Sequence, residues 1–312
     1  MSTPAVPSPS ARHRLSRRDW RTILVLLVAA FVVILNETIM NVALPSLMVE
    51  LGVSATTVQW LSTAFLLTMA VVIPMTGFIL QRFTTRFVFV LAMGLFSLGT
   101  LVAGLAPGFW PLLAGRVVQA SGTAIMMPLL MTTILRLVPT HMRGSVLGTV
   151  SVVISVALAL GPTVSGVILQ TLSWRFMFLL VLPIALAAIS VGARLLERGG
   201  EVRRSSIDVP SVVLAAVGFG GFVHGVSAAG EGPGAAGRPE AIVPIAVGLV
   251  SLVAFVLRQR ALQRTDDPLL DLRVFRFRMF SLSVGLFVIA MMALFGSMIL
   301  LPIYLQNVRG FG

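Results

Sequence analysis

The sequence predicts an all-α polytopic membrane protein, and three observations carry that expectation. First, 57% of the 312 residues are hydrophobic and 11% charged, with a mean hydropathy of +1.00, which is more apolar surface than one soluble core can hide. Second, the apolar residues come in runs of about twenty, the length that crosses roughly 30 Å of hydrocarbon at 1.5 Å per residue. A β-barrel would instead show segments of about ten residues alternating apolar and polar. Third, the basic residues gather in alternate connections between the runs.

In chain order, residues 1–21 read as a disordered basic tail, rich in Pro and Ser and then in Arg12, Arg14, Arg17, Arg18 and Arg21. A secretory signal also begins with basic and apolar regions. Here the apolar run is too long, has no small-residue cleavage site and is followed by many more runs, so it reads as a retained helix. The expected spans are Thr22 to Leu44, Thr57 to Leu80, Phe87 to Ala106, Trp110 to Leu137, Ser145 to Thr171 and Trp174 to Leu195. Val209 to Ala228, Ala241 to Leu257 and Met279 to Leu305 follow.

The formal net charge of +12 comes entirely from arginine, since the chain has no lysine. A nucleic-acid surface would gather those charges on one soluble face with aromatics between them, and these are scattered over short connections. One side of the bundle holds the five tail arginines, Arg82 and Arg86, Arg136 and Arg143, Arg194, Arg198, Arg203 and Arg204, and the six from Arg258 to Arg278. The other side holds Arg175, Arg238 and Arg309. This asymmetry predicts a cytoplasmic amino terminus in a multi-pass protein of the cell membrane. With no cysteine and with His13, His141 and His224 far apart, neither a metal site nor a cofactor is expected. His224, alone in the seventh span, reads as structural.

Charged connections at Glu197 to Asp208 and at Arg258 to Arg278 mark a boundary. The expected organisation is a six-helix bundle over 22–196, a bridging region with two spans over 197–278, and the first helix of an incomplete second bundle over 279–312. Nine spans is an odd total and the last ends seven residues before Gly312, so a truncated protein is expected.

Ionisable side chains at membrane depth are expensive and need a partner, a wet cavity or a task. Two lie well inside the spans: Glu37, seven residues before the end of the first, and Arg116, six residues into the fourth. At the helical rise both sit about 10 Å from the same side. If the first and fourth helices are neighbours, these groups pair or share a cavity in which protonating the acid changes what the base holds. The plainer alternative is that they lock two helices together or snorkel to the interface. Asn36, Asn41 and Gln119 add amides at the same depth, where interhelical hydrogen bonding is the competing role. Pro and Gly are dense within the spans, as in bundles that rock and also in static ones. Gly218, Gly220 and Gly221 follow no strand, so a dinucleotide loop is excluded.

Four segments resemble the major facilitator superfamily, and within it the fourteen-helix drug:proton antiporter family. Leu35-Asn36-Glu37-Thr38-Ile39-Met40-Asn41-Val42-Ala43-Leu44-Pro45 is similar to that family's L-D-x-T-I-V-N-V-A-L-P signature, with Asn36 in place of its Asp and a carboxylate one position later at Glu37. Gly77 to Arg86 resembles the superfamily loop G-x-L-a-D-R-x-G-R-[RK], with Gln81 for the Asp and Thr84 for the second Gly. Leu113 to Gly122 resembles the fourth-helix motif whose Arg, here Arg116, the family associates with proton coupling. Gly161-Pro162-Thr163-Val164-Ser165-Gly166 resembles the antiporter motif G-P-x-x-G-G.

The resemblance covers Asn36 to the end and implies a major-facilitator-type helical bundle. It further implies a transporter, not an enzyme, that exports small amphiphilic or cationic compounds against protons. Glu37, Arg116, Asn36, Asn41 and Gln119 would then serve proton coupling or substrate binding. Gly77, Gln81, Arg82 and Arg86 would form the conformational gating loop, and Gly161, Pro162 and Gly166 the antiporter motif. The lipid bilayer, protons and a small-molecule substrate are the expected partners. A dedicated exporter of one metabolite or lipid, a nonfunctional fragment, and a membrane-embedded transferase using Asp266, Asp267 and Asp271 are the rival readings. The transferase is disfavoured because those acids are interleaved with Arg.

Overall fold

Helix α1, Arg17–Leu51, begins at a reciprocal cap in which the Ser16 hydroxyl accepts from the Asp19 N–H and the Asp19 carboxylate accepts from the Ser16 N–H, two otherwise orphan donors satisfied at once. The computed structural model describes residues 15–196, 208–230, 234–263 and 270–307, with side chains as far as 293 in the last stretch. Residues 1–14, the charged stretch from Glu197 through Arg204, Asp266, Asp267 and Arg309 lie outside the described residues.

Eight more helices follow: α2 Ala55–Arg82, α3 Thr85–Gly104, α4 Phe109–Leu137, α5 Thr140–Thr171, α6 Phe176–Leu195 with a break at Leu180, α7 Val209–Ala229, α8 Pro239–Leu262 and α9 Arg278–Asn307. Among the described residues there is no strand, and α1 to α8 are each long and apolar enough to cross a membrane. The protein is therefore an all-α polytopic membrane protein, as the sequence predicts.

The helices run past the expected spans at several ends, for identifiable reasons. α1 continues through Pro45, where one backbone bond is lost, because Leu47 beyond it is fully buried in a cluster with Val58 and Leu61. Gly52, at φ 63°, then ends the helix in the left-handed region that glycine alone enters freely. α5 starts five residues before the expected Ser145, and there Arg143 donates from Nε to the Val138 carbonyl at 3.0 Å and from Nη2 to the Leu135 carbonyl at 2.7 Å. Those carbonyls belong to the end of α4, where the helix itself supplies no donors. α3 ends at Gly104 rather than at Ala106, and the freed Ala106 carbonyl accepts from Arg175 at 3.0 Å.

α3 packs most closely on α4, α2 on α4, α1 on α5, and α6 on α3 and α1, while α7 leans on α2. The α3–α4 crossing is backbone against backbone. A Cβ on Gly122 would lie 2.2 Å from the Ala92 carbonyl oxygen, and one on Gly99 would lie 2.3 Å from the Gln119 nitrogen. Small residues permit this approach, which dispersion and not hydrophobicity drives between helices in lipid. The α7–α8 hairpin closes in the same way, through Gly221 and Gly248. Trp60 on α2 stacks on His224 of α7 with centroids 5.7 Å apart.

Residues 1–255 and 256–312 form two compact units. In the second, Asp271 accepts from the Arg273 N–H at 2.9 Å, and Gln259 accepts from the Leu270 N–H at 3.0 Å.

The crossing generates a prediction. Gly122→Ala forces α3 and α4 apart and should destabilise the protein by about 1–3 kcal/mol, as overpacking does. Gly94→Ala meets no atom within 4 Å and should be neutral or stabilising by up to about 1 kcal/mol. Thermal unfolding in detergent, followed by circular dichroism, compares the two.

Candidate functional site

Arg116 and Gln119 lie three residues apart on α4 and so share one face of the helix. That face is turned inward, and both side chains are fully buried. The close α3–α4 contact through Gly99 and Gly115 brings Thr100 of α3 against Gln119, while α1 brings Asn36 from the opposite side. Arg116 donates from Nη1 to Gln119 Oε1 at 2.6 Å. Gln119 Nε2 donates to Asn36 Oδ1 at 2.9 Å and to Thr100 Oγ1 at 2.8 Å. Thr100 Oγ1 in turn donates a hydrogen bond to the Phe96 carbonyl at 2.6 Å.

Gln119 thus uses its oxygen and both amide hydrogens, which fixes the amide orientation. The Phe65 ring of α2 covers the guanidinium at 3.9 Å from centroid to Cζ, a cation–π contact made stronger by desolvation. Arg116 Nε has no hydrogen-bond partner among the described residues. Four helices therefore converge on one cation, whose one side-chain hydrogen bond among the described residues goes to a neutral amide.

Glu37 follows Asn36 on α1 but turns to a half-buried position. Its charge and that of Arg116 interact, yet among the described residues no ion pair within 4.0 Å joins them. Asn41 is exposed and accepts from the Ser62 hydroxyl of α2 at 2.9 Å, apart from the Arg116 cluster. The structure therefore gathers Asn36, Arg116 and Gln119, sets Glu37 beside them, and ties Asn41 elsewhere.

Gly77, Gln81 and Arg82 are exposed at the end of α2, and Arg86 is half-exposed in the first turn of α3. Arg82 sits 6.0 Å from the Phe78 ring centroid, and a Cβ on Gly77 would meet nothing within 4 Å. On α5, a Cβ on Gly161 would lie 2.5 Å from the Thr38 side chain. Buried Ser165 donates to the Ile39 carbonyl at 3.1 Å. Gly161 and Ser165 thus face α1, whereas Pro162 is exposed and a Cβ on Gly166 would meet nothing within 4 Å.

Sequence reasoning missed Phe65, Thr100 and the α1 clasp by Ser165. A hydroxyl in an apolar helix is usually satisfied by its own carbonyl four residues back, so Thr100 gave no signal. Phe65 is one aromatic among many in a greasy span.

Spanning helices packed around a buried, hydrogen-bonded guanidinium define a membrane protein with a polar interior. The sequence model of the Major Facilitator Superfamily matches residues 26–312, and the chain belongs to that superfamily of transporters, whose members are not enzymes. It is 41% identical over 302 residues to the uncharacterized MFS-type transporter YhcA of Bacillus subtilis, covering 97% of this chain and 56% of the relative. It is 43% identical over 282 residues to the lincomycin resistance protein LmrB of the same organism, covering 90% and 58%. With the multidrug resistance protein B homolog of Mycobacterium tuberculosis it shares 29% over 314 residues, covering 98% and 58%. The chain thus spans a little over half the length of these relatives. The human organic anion transporter MFSD10 has the same fold at a TM-score of 0.53 and 15% identity, over 69% of this chain and 57% of that one.

Replacing Gln119 by Leu would leave Arg116, Asn36 and Thr100 without their shared partner inside the bundle. Stranding a buried charge costs about 3–5 kcal/mol, and the detergent unfolding temperature should fall accordingly. Gln119→Glu keeps an acceptor for Arg116 and should unfold closer to the parent.

Proposed function

We propose that this chain is the substrate-handling portion of a proton-coupled exporter of small amphiphilic or cationic compounds, with Glu37 as the group that exchanges a proton. One observation supports the reading above the others: a fully buried guanidinium hydrogen-bonded to the neutral amide of Gln119, with a half-buried carboxylate beside it and, among the described residues, in no ion pair with it. Ionised Glu37 attracts an organic cation from one side of the membrane. A proton arriving from the other side neutralises it and releases the cation. Arg116 keeps a fixed positive charge nearby, so the carboxylate does not hold proton and cation together.

In this reading the amino terminus is cytoplasmic, as the arginine asymmetry requires. The organisation is a six-helix bundle, two bridging helices and the start of a second bundle, with substrate passing between bundles that open alternately. The exposed end of α2 with Gly77, Gln81, Arg82 and Arg86 serves the gate. The α1–α5 contact at Gly161, with Pro162 and Gly166 behind it, serves as the joint.

A narrower substrate range is favoured by a second observation. Identity is 43% to a protein named for lincomycin resistance and 29% to one named for multidrug resistance. Growth of an expressing strain against a compound panel separates the two, since a dedicated exporter protects against very few compounds.

Glu37→Gln, made in the protein at the full length of its relatives, should abolish proton-driven efflux while leaving expression and unfolding temperature intact. The expected loss is on the order of 100-fold, in the range of a lost proton-transfer group. Efflux equal to the parent in energised vesicles sinks the role of Glu37, and coupling that follows a sodium gradient in place of a proton gradient sinks the choice of ion.

A further inference from the structure

We infer that the starts of α1 and α5 form a binding site for an anionic phospholipid, its phosphate held by Arg17 and Arg21 and its acyl chain laid along the two helices. Both helices begin on the same face of the bundle, and a cavity of about 550 Å³ lies between their first turns, lined by Leu15, Arg17, Trp20, Arg21, Met142 and Ser145 together with Ser16, Val146 and Thr149. Among the described residues no carboxylate lines it. The nearby Asp19 is turned into the cap of its own helix, and Arg143 on α5 is committed to the end of α4.

Arg17 and Arg21 are exposed, one turn apart, and neither makes an ion pair or side-chain hydrogen bond among the described residues. Two guanidinium groups spaced in this way suit a phosphodiester, which accepts two forks at once. Trp20, 45% exposed, is the residue type that settles at the boundary of headgroup and hydrocarbon.

The pattern below the cavity identifies the rest of the ligand. On α1 the stripe through Arg17 and Arg21 continues to Leu24 and Val28, and on α5 the stripe through Ser145 and Thr149 continues to Val152 and Val156. The spacing is three or four residues throughout, which keeps each stripe on one face. All four apolar members are 44–62% exposed. Among the described residues, two neighbouring helices thus present a polar, cationic top and an exposed apolar track beneath it. A free phosphate or nucleotide would use only the top. Basic clusters at the inner surface of a membrane attract anionic headgroups, and this one has a cavity to seat a single molecule.

The test measures lipid retention, so it is independent of what is transported. The protein is reconstituted in phosphatidylethanolamine and phosphatidylglycerol vesicles, extracted in mild detergent and examined by native mass spectrometry. Retention of one phosphatidylglycerol in preference to phosphatidylethanolamine is expected. The Arg17→Gln/Arg21→Gln double variant should reduce it about tenfold, given the attraction contributed by each basic residue. Ser145→Phe, at an exposed position, should reduce it similarly by filling the cavity with no change of charge. Arg136→Gln/Arg194→Gln removes as much charge from the same face and should leave retention intact.

Equal loss in that last variant means diffuse attraction and overturns the site. So does retention unchanged in either of the first two variants, or complete displacement of the lipid by inorganic phosphate alone.

Discussion

A guanidinium carried into the middle of a helical bundle needs acceptors from its neighbours, because its charge is not given up at any ordinary pH. Arg116 finds them through a single side chain. Gln119 accepts a hydrogen bond from it and donates one each to Asn36 and Thr100, so one residue joins α4 to α1 and α3. The relay works only because α3 and α4 meet at glycine. With side chains at Gly99 and Gly115 the helices would stand further apart, and Thr100 would fall out of reach. Packing of backbones, placement of a hydroxyl and burial of a charge are here one event.

α1 distributes what this arrangement holds fixed. Asn36 faces the guanidinium cluster, and Thr38 packs on Gly161 of α5. Ile39 offers its carbonyl to Ser165, and Asn41 takes a hydrogen bond from Ser62 of α2. Within six residues the helix is tied to three neighbours on successive faces, which the angular step of 100° per residue makes possible. Glu37 stands in the middle of this segment and, among the described residues, is the one polar side chain there without a hydrogen bond. A helix pinned on these other faces presents that carboxylate at a fixed place.

Much of this was legible in the sequence. Runs of about twenty apolar residues mark the helices, and the cost of charge in lipid singles out Glu37 and Arg116. Asn36 and Gln119 were legible for the same reason, since amides at that depth need partners. What periodicity does not contain is which faces meet. The placement of Glu37 beside the cluster and not in contact with it depends on the rotation of α1, which Thr38 and Ser165 set through α5. Phe65 and Thr100 carry no unusual cost in a membrane and left no mark to read. The helix ends were misjudged where tertiary contacts prolonged them, as with Leu47 beyond Pro45 and Arg143 at the start of α5.

The replacement of a carboxylate by Asn36 in the first-helix signature alters the electrostatics of the cluster more than its geometry. A carboxylate at that position, reached through Gln119, would sit as a permanent counter-charge to Arg116 and the cluster would be near neutral. With an amide there, the hydrogen-bond path is kept and one positive charge is left over. Opposite charges that are not in contact still attract one another where water is excluded and the effective dielectric is low, so compensation across a gap stabilises both even without contact. Moving the acid one residue along α1 therefore detaches it from the structural relay without removing it from the field of the guanidinium. The relay joins α1, α3 and α4 through Gln119, Asn36 and Thr100, with no hydrogen bond to the carboxylate among the described residues.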